Sequence, residues 1–198
     1  MRILELKEFM KPFKKTEKMA LLVIFSVLII VSVPNFIISL RRARDQVRRD
    51  DLGALLHALE EYSVDFKRLP PASEDGEIMD CLNPGDTLVL NKDETEILNV
   101  VPCGWGQKPF VNLVSGRIYM TLLPRDPSYL KGAKYLYFTD GVRFQLYAAM
   151  EGEDEPEVDD KIVERGLVCG NTLCNVGRSY NVPTDISIEE YDSKLLEK

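Results

Sequence analysis

Apolar and polar positions divide the chain into three stretches with different rhythms. From Met19 to Val33 the residues are apolar except for Ser26 and Ser32, and apolar character continues through Phe36, Ile37, Ile38 and Leu40. About 20 such residues suffice to carry a helix across a hydrocarbon core. Next, Leu52, Leu55, Leu56, Leu59, Tyr62 and Phe66 recur at three- and four-residue steps, the mark of a helix with one apolar face. Leu69-Pro70-Pro71 ends that rhythm. The pattern predicts a helix from near Lys15 to near Lys67, kinked at Pro34. A membrane helix and a separate soluble helix, joined at an arginine cluster, fit the same pattern. Beyond the prolines, strands are predicted at Thr87–Leu90, Phe110–Val114 and Arg117–Leu122. A hairpin is expected from Tyr135–Thr139 through an Asp140-Gly141 turn into Val142–Met150. In its second strand Val142, Phe144, Leu146 and Ala148 alternate with Arg143, Gln145 and Tyr147, so one face should meet a core and the other water. The 163–198 segment reads as a loop-rich tail with a short helix over Glu189–Lys198. The fold class expected is α+β, a long N-terminal helix packed on a small antiparallel sheet.

Charge sharpens this picture. The first 50 residues hold eleven Lys/Arg and five Asp/Glu; the remaining 148 hold fourteen and twenty-seven, giving +6 and −13 and a total of −7. An acidic body argues against nucleic-acid binding. The basic residues flank the apolar run on both sides, Arg2 to Lys18 before it and Arg41, Arg42, Arg44, Arg48 and Arg49 after it, so charge alone does not orient the span. A cleaved signal peptide would need a small-x-small site after the apolar stretch, and Ser32-Val33-Pro34 is a poor one. Arg41 with Asp45 and Asp45 with Arg49 are helix-compatible ion pairs.

Four cysteines, Cys81, Cys103, Cys169 and Cys174, all lie in the acidic part. An even number there favours two disulfides in a non-cytoplasmic compartment. Three connectivities are possible; sequence neighbours close the shortest loops, which favours Cys81–Cys103 and Cys169–Cys174. Free thiols and a metal site are the alternatives, although the spacing does not match a zinc knuckle. No other cofactor is indicated. The acidic run Glu151–Asp160 could offer carboxylates to calcium, but it lacks EF-hand spacing and reads first as a solvated loop. His57 is the single histidine, on the amphipathic helix, so no Ser-His-Asp or Cys-His set can be assembled beyond it, and no phosphate-binding loop occurs. The chain is not expected to be an enzyme.

Particular residues add a family resemblance. Phe13, Glu17 and Pro34 stand at the spacings that follow the leader in type IV pilins and type II secretion pseudopilins. Glu17 is the only acid between Glu8 and Asp45. Leu59-Glu60-x-Tyr62-x-x-Asp65 before Leu69-Pro70 resembles the end of that family's first helix. Leu123-Pro124-x-Asp126-Pro127 with the following hairpin resembles its sheet region. The likeness covers about residues 12–150. Two departures accompany it: Pro12 replaces the glycine before the cleaved bond, and Lys14, Lys15 and Lys18 replace apolar residues. The resemblance implies a cytoplasmic leader-like segment (1–12), a transmembrane helix (13–40), its amphipathic continuation (41–68) and an extracytoplasmic domain (69–198). It further implies cleavage at Pro12–Phe13 by a prepilin peptidase. Glu17 and Pro34 would serve assembly, and the partners would be membrane lipid, other pilin-like subunits and an assembly platform. A minor or atypical subunit is the form expected; a permanently anchored accessory protein and, more remotely, a tethered enzyme are the other classes.

Overall fold

The computed structural model describes residues 14–90 and 98–197. Its longest element is α1 (Lys15–Phe66), 52 residues with Pro34 inside. The chain divides into two compact units, Met1–Arg41 and Arg42–Lys198, so the amphipathic half of α1 belongs with the globular part.

In the first unit, every residue from 14 to 40 is exposed, including its apolar ones from Met19 to Leu40. The helix is long and apolar enough to cross a membrane. Three of its polar side chains bond back onto the helix: Ser26 Oγ, Asn35 Nδ2 and Ser39 Oγ each donate to the carbonyl four residues back, at 2.8, 3.0 and 2.9 Å. Lipid offers no hydrogen bonds, and such back-bonding hides the polar atoms. The helical assignment continues through Pro34, which has no N–H to donate. The next residue's side-chain amide, Asn35 Nδ2, donates to the carbonyl of Val31.

The second unit is built on the remaining part of α1. Leu52, Leu55, Ala58, Leu59, Tyr62 and Phe66 are buried; Leu56, predicted in the stripe, is only half-buried. The helix stops at Lys67, which turns left-handed (φ 59°) ahead of the prolines. Short antiparallel ladders follow, β1 (Met79–Cys81) with β2 (Val101–Pro102) and β3 (Phe110–Val111) with β4 (Ile118–Met120). The main sheet has three strands in the order β5 (Leu136–Thr139), β6 (Phe144–Ala148), β7 (Val176–Tyr180), all antiparallel. Two short helices, α2 (Asp160–Glu164) and α3 (Ile188–Leu196), complete it. The α1 stripe shares one core with Phe110, Tyr135, Tyr137, Phe144, Leu146, Ala148 and Val176.

Several sequence expectations are corrected here. Thr87–Leu90 is not a full strand among the described residues: Leu90 is a single bridge position, Val89 O accepts Leu98 N–H at 2.8 Å, and the Asn99 side chain takes the hydrogen bonds of Thr87 O and Val89 N at 2.8 and 3.0 Å. The hairpin turn is shifted by one residue. Asp140 N–H donates to Arg143 O, so Gly141-Val142 are central, and the Asp140 carboxylate accepts from Val142 N and Arg143 N. An aspartate that folds back onto the next backbone amides competes with the tighter turn. β6 is also not half-solvated. It is the middle strand, and all five of its residues are buried. The tail is the reason. It supplies β7, and its backbone accepts hydrogen bonds from the second face: Gln145 Nε2 donates to Pro183 O and Ile186 O, and Tyr147 OH to Thr184 O. A second small core of Leu136, Tyr147, Ala149, Ile162, Cys169 and Cys174 closes over that face. The C-terminal part is therefore structured, with α3 capped by Ser187 Oγ accepting from Glu190 N.

The cysteines are joined as Cys81–Cys103 and Cys169–Cys174. Chain-entropy reasoning gives the first, longer loop about 3 kcal/mol of stabilisation and the second about 2 kcal/mol. Serine replacement of the Cys81–Cys103 pair is therefore expected to lower the denaturant midpoint more than replacement of Cys169–Cys174. Equilibrium unfolding of the two double variants checks this order.

Candidate functional site

Two places on α1 bear on function: the start of the apolar run and the arginine cluster after it. At the first, Glu17 sits in the opening turn of the helix, where its carboxylate accepts the Lys14 backbone N–H at 2.8 Å. This is half of a capping box, a carboxylate that covers an otherwise unpaired amide and favours the positive end of the helix. Lys14, Lys15 and Lys18 are exposed around it. Pro34 lies 17 residues farther along the same helix. The other processing residues named from sequence, Pro12 and Phe13, lie outside the described residues.

At the second place the structure departs from a simple row of membrane-flanking charges. Arg48 is only 1% exposed. Its Nη1 donates to Asp45 Oδ1 (2.8 Å), Nε to Asp126 Oδ2 (2.8 Å), and Nη2 to Asp126 Oδ1 (2.9 Å) and Glu151 Oε1 (3.2 Å). The two-pronged contact with Asp126 matches the planar fork of a guanidinium to a carboxylate. Asp45 and Asp126 are as buried as Arg48 and have further donors. Asp45 accepts from Glu151 N and Gly152 N at 2.8 and 3.0 Å, and Asp126 from Ser128 N at 2.7 Å. Glu151 also takes Arg44 Nε (2.8 Å) and Ser128 Oγ (3.0 Å). Arg49 turns to Glu155 and Glu157, at 3.2 and 2.9 Å.

Burial works against the Arg48 charge, but the hydrogen bonds of Asp126 and Asp45 outweigh it and hold its pKa above the ordinary value. The Arg44 hydrogen bond, with smaller help from Ser128 and Arg48, draws Glu151 down to about 2. Neither effect prepares a group for proton transfer; both hold charges in place. Farther along α1, Tyr135 OH donates to Asp51 (2.5 Å), Tyr62 OH to Asp80 (3.1 Å) and Tyr119 OH to Asp65 (2.7 Å). Polar bonds thus tie the helix to the sheets at successive levels and fix its register on them.

The sequence missed this network. Asp126 belongs to a Leu-Pro-x-Asp-Pro motif and Glu151–Asp160 is an acidic run, but nothing local joins them to Arg44, Arg48 and Arg49. The signal is the coincidence of an arginine cluster and an acidic run in one chain. The predicted Asp45–Arg49 pair is replaced by Asp45–Arg48. Of the residues considered for chemistry, His57 is exposed on α1, 3.5 Å from Glu61. Among the described residues, no group of three His, Cys, Asp or Glu could hold a metal ion. No family model, curated protein or solved structure matches this chain, so the functional reading rests on its own residues.

Proposed function

We propose that the chain is a pilin-like structural subunit of a type IV pilus or type II secretion pseudopilus, a minor or atypical one, held in the membrane before assembly. The observation that carries this reading is α1 itself. One helix supplies an exposed apolar run to one unit and, to the other, the stripe over which antiparallel strands pack. The exposed run needs an apolar surrounding, and lipid or the like helices of neighbouring subunits both provide one. Passage from membrane to fibre would then exchange one apolar contact for another. The two disulfides support an oxidising compartment for the domain, and with it a cytoplasmic N-terminus as the orientation of this reading. If the Pro12–Phe13 bond is cut, the new amine lies four residues from Glu17, and the amine of a neighbouring subunit becomes its partner, as a carboxylate leaving water requires.

A second reading, a permanently anchored accessory protein of the same shape, has its own support. Glu17 is already engaged with the Lys14 amide, and three lysines surround it, which suits a membrane surface better than a packed fibre. Intact mass and N-terminal sequencing of the protein from its native membrane separate the two. A chain beginning at Phe13 is the expected result for a subunit; one retaining Met1 overturns leader-dependent assembly and leaves the accessory protein.

A further inference from the structure

The direction of the main sheet identifies one end of the globular unit. β5 starts beside Tyr135, whose hydroxyl meets Asp51, and ends near Gly141, whose carbonyl accepts Leu69 N–H. β6 returns to Glu151, which meets Arg44 and Arg48, and β7 departs again from Val176, paired with Ala148. The segments before β5, after β6 and before β7 therefore gather at the Arg48 end of the unit, where Arg48, Ser128, Lys131, Glu151 and Leu173 line one cavity. Arg44 is four residues past Leu40, the last of the apolar run. Covalent geometry alone keeps the two within about 14 Å in any conformation of the chain.

Two of those segments carry apolar side chains outward. Leu130, in the 3-10 turn Tyr129–Lys131, is 84% exposed, and Tyr129 is 39% exposed. On the disulfide loop, Val168 and Leu173 are bridge partners, 51% and 49% exposed. The loop and the turn brace each other. Asn171 Nδ2 donates to Lys131 O, and Lys134 N–H to Cys169 O at 3.2 Å. A Cβ on Gly170 would lie 1.8 Å from Gly132 O, so only glycine permits the approach. Cations flank the patch: Lys131 is exposed, and the Arg125 guanidinium stacks 3.6 Å over the Tyr129 ring. A lone exposed leucine is ordinary. Three aliphatic side chains on adjoining braced turns, with a tyrosine and long cations at their edge, match what settles between water and lipid tails. Glu153 and Asp154, exposed after β6, set this surface against a strongly anionic membrane and favour a zwitterionic one.

We infer that the Tyr129–Lys131 turn and the Val168–Leu173 loop rest in the lipid interface, a second membrane contact that holds the domain against the bilayer. This rests on the membrane-anchored reading. The test uses the full chain reconstituted in phosphatidylcholine vesicles, with L130W, L173W and V142W each compared with the unmodified protein, which holds Trp105. Val142, 69% exposed in the hairpin at the opposite end of the sheet, is the control. Quenching by spin-labelled lipid is expected to be severalfold stronger at positions 130 and 173 than at 142, with blue-shifted emission. Vesicle flotation tests the anchor separately. A chain that does not float overturns the anchor and this inference with it. One that floats, yet quenches equally at 130 and 142, overturns the lipid contact and leaves the anchor standing.

Discussion

Replacing Arg48 by methionine is expected to destabilise the globular unit by about 3–5 kcal/mol, the usual cost of removing one partner from a buried ion pair. The variant keeps the aliphatic volume and deletes only the charge and its donors. What remains is worse than a missing contact. Asp45 and Asp126, both buried, lose their shared cation, and the Ser128, Glu151 and Gly152 backbone donors cannot neutralise two carboxylates. Arg48→Lys should recover only part of the loss, because an ammonium cannot reproduce the forked contact with Asp126. Arg44→Ala provides the contrast. Its pair with Glu151 is about one-third exposed on both sides, so less than about 1 kcal/mol is expected. Denaturant unfolding of the three variants in detergent micelles measures the difference; equal midpoints for Arg48→Met and Arg44→Ala would show that the buried network does not hold the helix. The sign of the acid response follows from Glu151. Its folded pKa, about 2, lies below the ordinary carboxylate value, so its contribution is present above about pH 4.5 and is lost as pH falls toward 2.

How much of this was legible beforehand depended on the range of the interactions involved. The apolar run 19–40, the stripe Leu52–Phe66 and the β5–β6 hairpin are local periodicities, and the chain spells them out directly. The α+β class followed. The burial of Gln145 and Tyr147 was not legible, since it comes from Pro183, Thr184 and Ile186 passing across the sheet some forty residues later. Nor was the role of the arginines. Read along the sequence they flank an apolar segment and look interfacial; in space Arg48 and Arg49 find acids more than seventy residues away. The acidic run reads as solvated for the same reason, yet Glu151, Glu155 and Glu157 are each held by an arginine of α1. Charge patterns disclose that partners exist; only the fold assigns them.

Stability should also fall as pH rises from about 4 to about 8, through Asp80. This carboxyl is 2% exposed next to the Cys81–Cys103 bridge. Oδ1 accepts the Tyr62 hydroxyl at 3.1 Å, and Oδ2 has no hydrogen-bond partner among the described residues. Desolvation raises its pKa to about 8, and the Tyr62 hydrogen bond opposes that only in part. Among the described residues no cation offsets the burial, and Tyr62 and Tyr137 feel its charge. A carboxyl whose folded pKa exceeds its unfolded one binds its proton more tightly in the native state. Stability is therefore unaffected below about pH 4, declines as pH rises, and reaches its floor above about pH 8. The full shift would correspond to more, but water entering a strained site relieves part of it, so a loss on the order of 3 kcal/mol is expected between about pH 5 and pH 9. Asp80→Asn keeps the acceptor for Tyr62 and cannot ionise. Its unfolding midpoint should lie closest to the wild type near pH 4 and exceed it increasingly toward pH 9. Asp51, raised by its own burial, contributes in the same direction but equally to both proteins, so the difference between their curves isolates Asp80. Parallel curves across this range would mean that Asp80 is ionised in the folded domain at all these pH values, and that a cation or water must reach Oδ2.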